Sequence, residues 1–534
     1  MPSAPLPPLY FLPRRRAPVD FTCSDAVLSA GFEWARTTAL GYVQTGKDPK
    51  FMECYWAGYP TREAFYLRDF AHQTAGAHLL GLDEENFAMA SLMAKSATAE
   101  RGYYPVWSYN FDGSIFAMDY HSATDFVREL PEPFDLIHRI GGMLRWSGEA
   151  RLYADGALVS FYEATLDDFL PLHDPNKTGI ASEFGGDGHN IFGGVATYNE
   201  QSGAPLGYSA DAFASQYGAA LALGVIFEAR GDETRAAAAR ASARGLRTTF
   251  NTQWALAPNA TRPLPRAGGA AGAAAGAALT GAAGAARADE AREKSTHPGG
   301  FLRGVLRNGS TLSGWGKTET MFPLIAGLAA GGSEQTDAAF ALLEEYANSH
   351  TITECRCQMP EALFRYGRPD AAVQLLKGLL LDARRTYPEV SFAYVDVMVS
   401  GILGVAPDAL GYAVTTTHRL PSSVTWANAT QIAVGPHTIA VAHAAGQSAP
   451  GVTIPSLATT FASDAQGATS LQDLRWTARF AVGDVAPAKP TLWVDGTPTP
   501  AVVEHQAGDA RLVLLAVNVT VPVGARIVVS TASA

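Results

Sequence analysis

The feature that most constrains this chain is a recurring joint. Between residues 24 and 404, apolar stretches with helical spacing stop at a glycine and resume after an acidic or turn residue. This happens at Gly81-Leu82-Asp83, Gly148-Glu149, Gly231-Asp232, Gly331-Gly332-Ser333 and Gly367-Arg368-Pro369. Glycine adopts the left-handed conformation that ends a helix, and an acid just beyond it favours the next helix N-terminus. Each joint therefore turns one helix back on the last, as an α-hairpin. The first run, "SDAVLSAGFEWARTTALGYV" (24–43), opens on Ser24 or Asp25 as cap. Counting such runs predicts eleven or twelve helices.

From about residue 409 the periodicity changes. "SSVTWANATQIAVGPHTIAVAHAAG", "LRWTARFAV" and "ARLVLLAVNVTVPVGARIVVS" are β-branched, alternating and punctuated by Gly and Pro. That pattern is antiparallel sheet. The expected architecture is mainly α: a body of helical hairpins over 20–408, then a small β-sandwich-like domain over 409–534. Two segments interrupt the body. Residues 171–208 form a long stretch rich in Gly, Asn, Asp and Pro, and ordered loops of that length are usually functional. Within it Asp174, Asn176, Thr178 and Gly179 mimic half of a calcium loop, but its twelfth position is Gly185 rather than a bidentate Glu, so a turn is expected and no metal. The stretch near 266–290, "RAGGAAGAAAGAALTGAAGAAR" at its core, reads as a low-complexity insertion in a surface loop.

Composition narrows the function. A chain 47% hydrophobic and 17% charged can bury a sizeable core, and a net charge of −11 argues against an electrostatic nucleic-acid binder. Apart from Gly/Ala-rich stretches there is no run of eighteen apolar residues, so no membrane span is expected. Cys23, Cys54, Cys355 and Cys357 include no CxxC pair and read as buried thiols, with a Cys23–Cys54 bridge as the alternative. The start, "MPSAPLPPLYFLPRRR", is broken by prolines and makes a poor secretory signal. Glycosylation sequons at Asn176, Asn259, Asn308, Asn428 and Asn518 are compatible with a secreted or extracytoplasmic protein, with chance in a Thr-rich chain as the alternative, so the location stays open. Nothing in the sequence indicates the oligomeric state.

Residues 65–73, "FYLRDFAHQ", put polar chemistry inside an aromatic run. A helix starting at Pro60-Thr61 would align Arg62, Tyr66, Asp69 and Gln73 on one stripe, with Arg68 and His72 on a second. A charged stripe commonly faces water. Aromatics on almost every turn argue for contact on several sides instead. Carboxylates and guanidinium groups bind vicinal hydroxyls in fixed geometry, and aromatic faces stack on sugar rings.

"FYLRDFA" resembles the Arg-Asp segment of glucoamylases. The paired helices with a late β domain resemble the wider six-hairpin glycosidase superfamily, which includes α-L-rhamnosidase catalytic domains. The segments 357–380 and 384–405 resemble the closing hairpins of bacterial members. The resemblance implies an (α/α)6 barrel with an exo-acting, inverting glycosidase site at one mouth, a carbohydrate substrate and no cofactor. It assigns Arg68 and Asp69 to sugar binding.

Hydrolysing a glycoside takes two carboxyl groups, an acid for the leaving oxygen and a base for water. The glucoamylase acid lies in a Trp-Glu-Glu segment ahead of a mid-chain helix. That pattern is absent here, but Glu200 in "ATYNEQSGAPLGY" holds the comparable place, with Glu183 and Asp187 as rivals. For the base, Glu354 in "TITE" is the first choice. Glu361, behind Pro360, is equally read as a helix-start acid, and Glu319 is a third option beside Trp315, a potential stacking platform. Asp119, Tyr120 and Arg128 are expected to touch substrate from a further mouth loop, although Asp125 and Arg128 also suit a helix-start ion pair. Rival functions are a polysaccharide lyase or sugar epimerase on the same barrel, using Tyr120 with His121 or His189, and a non-catalytic carbohydrate-binding protein.

Overall fold

A computed structural model describes residues 16–116, 120–122, 125–183, 196–199, 205–256, 300–347, 353–446, 457–465, 472–483, 487, 489–506 and 509–532. The low-complexity insertion near 266–290 and residues 184–195 and 200–204 of the long loop fall outside these residues.

Helices come in pairs. They are α1 (Ala26–Gly41), α2 (Leu67–Leu79), α3 (Asp83–Ser96), α4 (Glu132–Ser147), α5 (Gly156–Ala164) and α6 (Ala210–Ala229) in the first half. They continue as α7 (Glu233–Thr249), α8 (Lys317–Ile325), α9 (Glu334–Ala347), α10 (Met359–Arg365), α11 (Pro369–Leu380) and α12 (Pro388–Val397). The glycines at the five joints, Gly81, Gly148, Gly231, Gly332 and Gly367, all have positive φ, between 63° and 79°. At the first N-terminus the cap is Asp25, whose Oδ1 accepts the Val27 and Leu28 N–H groups at 3.0 and 3.2 Å.

The even-numbered helices pack in sequence: α2 on α4, α4 on α6, α6 on α8 and α8 on α10. Then α10 meets the π-turn Met398–Ile402 that continues α12, and α12 packs back on α2. The odd-numbered helices cover them, with α1 on α12, α3 on α2, α7 on α6 and α11 on α10. Burial follows this layering. Seventeen residues of α6 are buried, on every face, whereas α7 buries only Ala236, Ala239, Ala243 and Leu246 along one stripe. By length and composition alone α6 could cross a membrane, but 89% of its apolar window is buried in the protein. Close approach of the inner helices depends on missing side chains. A methyl group at Gly76 of α2 would collide with the Phe392 carbonyl of α12, and one at Gly141 of α4 with Ala222 of α6.

The C-terminal region is β-sheet. A five-stranded sheet contains Leu474–Gly483 between Ala413–His418 and Asp509–Val521. A seven-stranded sheet contains Trp426–Val434, His437–Ala445 and Leu457–Ala465 as an antiparallel ladder. The two sheets meet where Trp476 stacks on Phe461, centroids 4.8 Å apart. One edge of the larger sheet comes from the far end of the chain: β1 (Asp20–Cys23) pairs antiparallel with Trp426–Val434, Asp20 opposite Thr430. All four cysteines are buried free thiols, so the Cys23–Cys54 bridge does not form.

One sequence expectation needs correction. The helix anticipated from Pro60-Thr61 begins only at Leu67. Residues Ala64–Tyr66 form a short strand, β2, that pairs with β3 (Ser108–Asn110). Arg62 is therefore off the helix, yet its Nη1 still reaches the Tyr66 hydroxyl at 3.3 Å.

Candidate active site

Because helices alternate in direction along the chain, every second one points the same way. The N-termini of the inner helices thus gather at one end, where a cavity of about 310 Å³ opens. Arg68 and Asp69 line it from the first turn of α2, Lys317 and Thr318 from the first turn of α8. Glu354 and Cys355 come from the single turn Thr353–Arg356 ahead of α10, and Arg384 and Tyr387 from the approach to α12. Tyr59, Arg62 and Tyr66 precede α2, Trp107 flanks β3, and Tyr198 and Asn199 close the loop before α6. Unpaired N–H groups and the positive ends of helix dipoles favour carboxylates at such a rim.

Among the described residues, two carboxylates face this cavity. Asp69 accepts a 2.6 Å hydrogen bond from the Tyr387 hydroxyl. Glu354 Oε1 accepts from Arg384 Nη2 at 2.8 Å, and its buried Oε2 has no partner among the described residues. The guanidinium of Arg384 also lies 5.6 Å from the Tyr59 ring and 5.8 Å from that of Tyr387. Arg68 donates to the Tyr198 carbonyl at 3.1 Å and sits 5.6 Å from the Tyr198 ring.

Behind the rim lies a column of buried acids. Glu389 accepts from Gln358 Nε2 at 2.7 Å and lies 2.6 Å from His72 Nδ1. Burial, then the nearby Asp69, pushes the Glu389 carboxyl well up. Burial, then Arg139 and Arg68, pushes the His72 imidazole well down. Both shifts favour the uncharged forms of the pair. Glu319 is fully buried, accepts from Asn199 Nδ2 at 3.1 and 3.3 Å, and is pushed up to about 8, first by burial and then by Asp211. Asp211 pins the rim itself. It accepts from the Thr197 hydroxyl (2.7 Å), the Tyr198 N–H (2.9 Å) and the Thr318 hydroxyl (2.8 Å). On the α4 side Trp107 Nε1 donates to Glu129 at 2.9 Å, and burial together with Glu129 raises Glu132 well above the usual carboxylate range.

No protein-family model and no curated protein matches the sequence. Among solved structures the chain is similar to a GH78 family rhamnosidase of Bacillus sp. GL1, with a TM-score of 0.52 and 17% identity over 82% of this chain and 41% of the other. It is also similar to an α-L-rhamnosidase from Dictyoglumus thermophilum, with a TM-score of 0.55 and 9% identity over 97% of this chain and 51% of the other. The fold is that of the six-hairpin glycosidases. The chain spans about half the length, or less, of both rhamnosidases.

On this six-hairpin fold the sequence candidates separate clearly. Arg62, Tyr66, Arg68, Asp69 and Glu354 meet in the one cavity. Gln73 does not line it; it is buried in α2 and donates to the Trp56 carbonyl at 3.3 Å. Glu183 is buried elsewhere, accepting from the Tyr104 hydroxyl at 2.9 Å and lying 3.5 Å from His173 Nδ1, where it ties down the start of the long loop. Glu361 lines a different cavity and pairs with Arg139 and Arg365, at 3.7 and 3.3 Å. Arg128 lies over the Phe126 ring, and Trp315 stacks flat on Tyr346 at 5.2 Å; neither lines the cavity. Tyr120 stacks on Phe126 and is also away from it. Glu200, Asp187, Asp119 and His189 lie outside the described residues. Among the described residues, no three His, Cys, Asp or Glu side chains are grouped to hold a metal ion. Asp174 caps its own turn, accepting from the Thr178 and Gly179 N–H groups at 2.8 and 2.7 Å.

The sequence reading missed Tyr59, Trp107, Tyr198, Asn199, Lys317, Thr318, Arg384 and Tyr387. One signal was available for Lys317. A cation in the first turn of a helix opposes the dipole, and such a misplaced charge marks a position held for another purpose.

Proposed function

We propose that this protein is a glycoside hydrolase that releases terminal sugars with inversion, on an (α/α)6 barrel spanning 20–408 backed by a β-sandwich-like domain over 409–534. The observation that carries the reading is the convergence of Arg68, Asp69 and Glu354 on one aromatic-lined cavity at the N-terminal ends of the inner helices. Its volume, about 310 Å³, lies at the small end of ligand sites, which suits a chain end better than an extended polymer. Arg68 and Asp69 hold the hydroxyls of the terminal sugar, and Tyr59, Trp107 and Tyr387 wall off water. Glu354 is the general base. Arg384 orients it through one oxygen and leaves Oε2 to take a proton from the attacking water. Glu200, next in the chain to the cavity-lining Asn199, is the general acid that protonates the leaving oxygen. The substrate is an oligo- or polysaccharide, and no cofactor takes part.

The test is a panel of aryl glycosides with Glu354→Gln and Glu200→Gln. Each variant is expected to lose about 10³-fold in kcat while folding normally. Full activity in both variants refutes the assignment. Sugar binding by the wild-type protein without turnover on any substrate refutes hydrolysis.

A further inference from the structure

A second cavity, of about 580 Å³, is lined by the middle and C-terminal parts of the inner helices and by the C-terminal sheets. Its volume is within the range of small-molecule sites. Its charge is lopsided. Arg139 and Arg145 reach it from α4, Arg247 from α7, Arg365 from α10, and Arg419 and Arg479 from the β region, against two lining carboxylates, Glu361 and Asp396.

Most of these cations have identifiable work. Glu361 pairs with both Arg139 and Arg365. Arg479 pairs with Glu504 at 2.7 Å, and Arg419 donates to the Phe364 carbonyl. Arg145 and Arg247 differ: neither guanidinium makes a hydrogen bond or ion pair with a described residue, and both are exposed. Each sits in the last turn of its helix, where the negative dipole end accounts for part of the charge. That does not explain the crowding. At Arg145 partial desolvation of the guanidinium group, then Arg365, disfavours the cation, against Asp408 and Tyr217. Full positive charges kept together around an open space are stabilised by an anion between them. Guanidinium groups match oxyanions through paired, parallel hydrogen bonds.

We propose that this cavity binds an oxyanion of the phosphate- or sulfate-ester class, held chiefly by Arg145 and Arg247. The site is separate from the Glu354 cavity and does not depend on what that cavity does. Calorimetric titration of the full chain with inorganic pyrophosphate, against sodium chloride at matched ionic strength, tests it. One-to-one binding is expected, at least tenfold weaker in Arg145→Gln and in Arg247→Gln and unchanged in Arg384→Gln. If the Gln variants fail to fold, Arg145→Lys and Arg247→Lys take their place, since loss of the planar fork weakens oxyanion binding while keeping the charge. Titration with inorganic phosphate and glucose 6-phosphate separates the sources: tighter binding of the ester identifies a sugar ester, and equal binding a free oxyanion. No binding at millimolar pyrophosphate, or equal binding by the wild-type protein and the Arg145/Arg247 double variant, overturns the proposal.

Discussion

Replacing Glu319 by Gln should change stability in a pH-dependent way whose size follows from its surroundings. Glu319 is fully buried between Asn199 and Asp211, and its carboxyl rises from 4.5 to about 8. The folded state therefore holds the proton more tightly than the unfolded chain. Stability falls as pH rises above about 4.5 and levels off once pH passes about 8. At about 1.4 kcal/mol per pKa unit, wild-type protein loses about 3–4 kcal/mol from this group between pH 5 and pH 8. A Gln side chain loses none of that. It accepts from Asn199 through one oxygen rather than two, which costs about 1 kcal/mol at every pH. The two effects cross. The variant should be less stable than wild type at pH 5 by about 1 kcal/mol and more stable at pH 8 by about 2–3 kcal/mol. Thermal unfolding of both proteins at pH 5, 6.5 and 8 reads the crossing directly. The same stability difference at pH 5 and pH 8 would show that the carboxyl ionises normally and that its burial beneath Asn199 is wrong.

Burial also pushes the Cys54 and Cys355 thiols up to about 12, so about one in 10⁴ is thiolate at pH 8. Ellman's reagent should leave both unmodified in the folded protein, although Cys355 lines the cavity, and should titrate all four thiols in guanidinium; rapid labelling of native Cys355 contradicts this. Tyr387→Phe removes the 2.6 Å hydrogen bond to Asp69. If Asp69 holds the terminal sugar, KM on the best aryl glycoside should rise about fivefold to tenfold, the equivalent of about 1 kcal/mol, and an unchanged KM removes Asp69 from the sugar site.

Local chemistry was legible in the sequence, and pairing at a distance was not. The five glycine joints could be read because a left-handed helix end is a property of one residue, and all five adopt it. Arg68 and Asp69 stood out because polar groups inside an aromatic run need a reason to be there. The start of α2 was misplaced because Ala64–Tyr66 became a strand through β3, over forty residues downstream. Trp315 looked like a stacking platform because Glu319 is its sequence neighbour; Tyr346, which claims its face, gives no local sign. Glu183 belonged to a loop with the right composition, but Tyr104 and His173, from other elements, decide its role. Glu319 stood in the sequence only as an alternative base beside Trp315, and Glu389 did not stand out at all; only the closing of the inner helices around α8 and α12 buries both and raises their carboxyls.

The pairing of β1 with Trp426–Val434 sets an order of events during synthesis. Asp20 leaves the ribosome about 410 residues before its partner Thr430. At roughly 5–20 residues per second, the strand waits roughly 20–80 s for the sheet edge it completes. The whole helical body is made in that interval, so it folds with its leading strand unpaired and an open β edge exposed. Only when the later sheet arrives is this earlier-made strand clasped by it, which ties the helical hairpins and the sheets into one closed loop of chain.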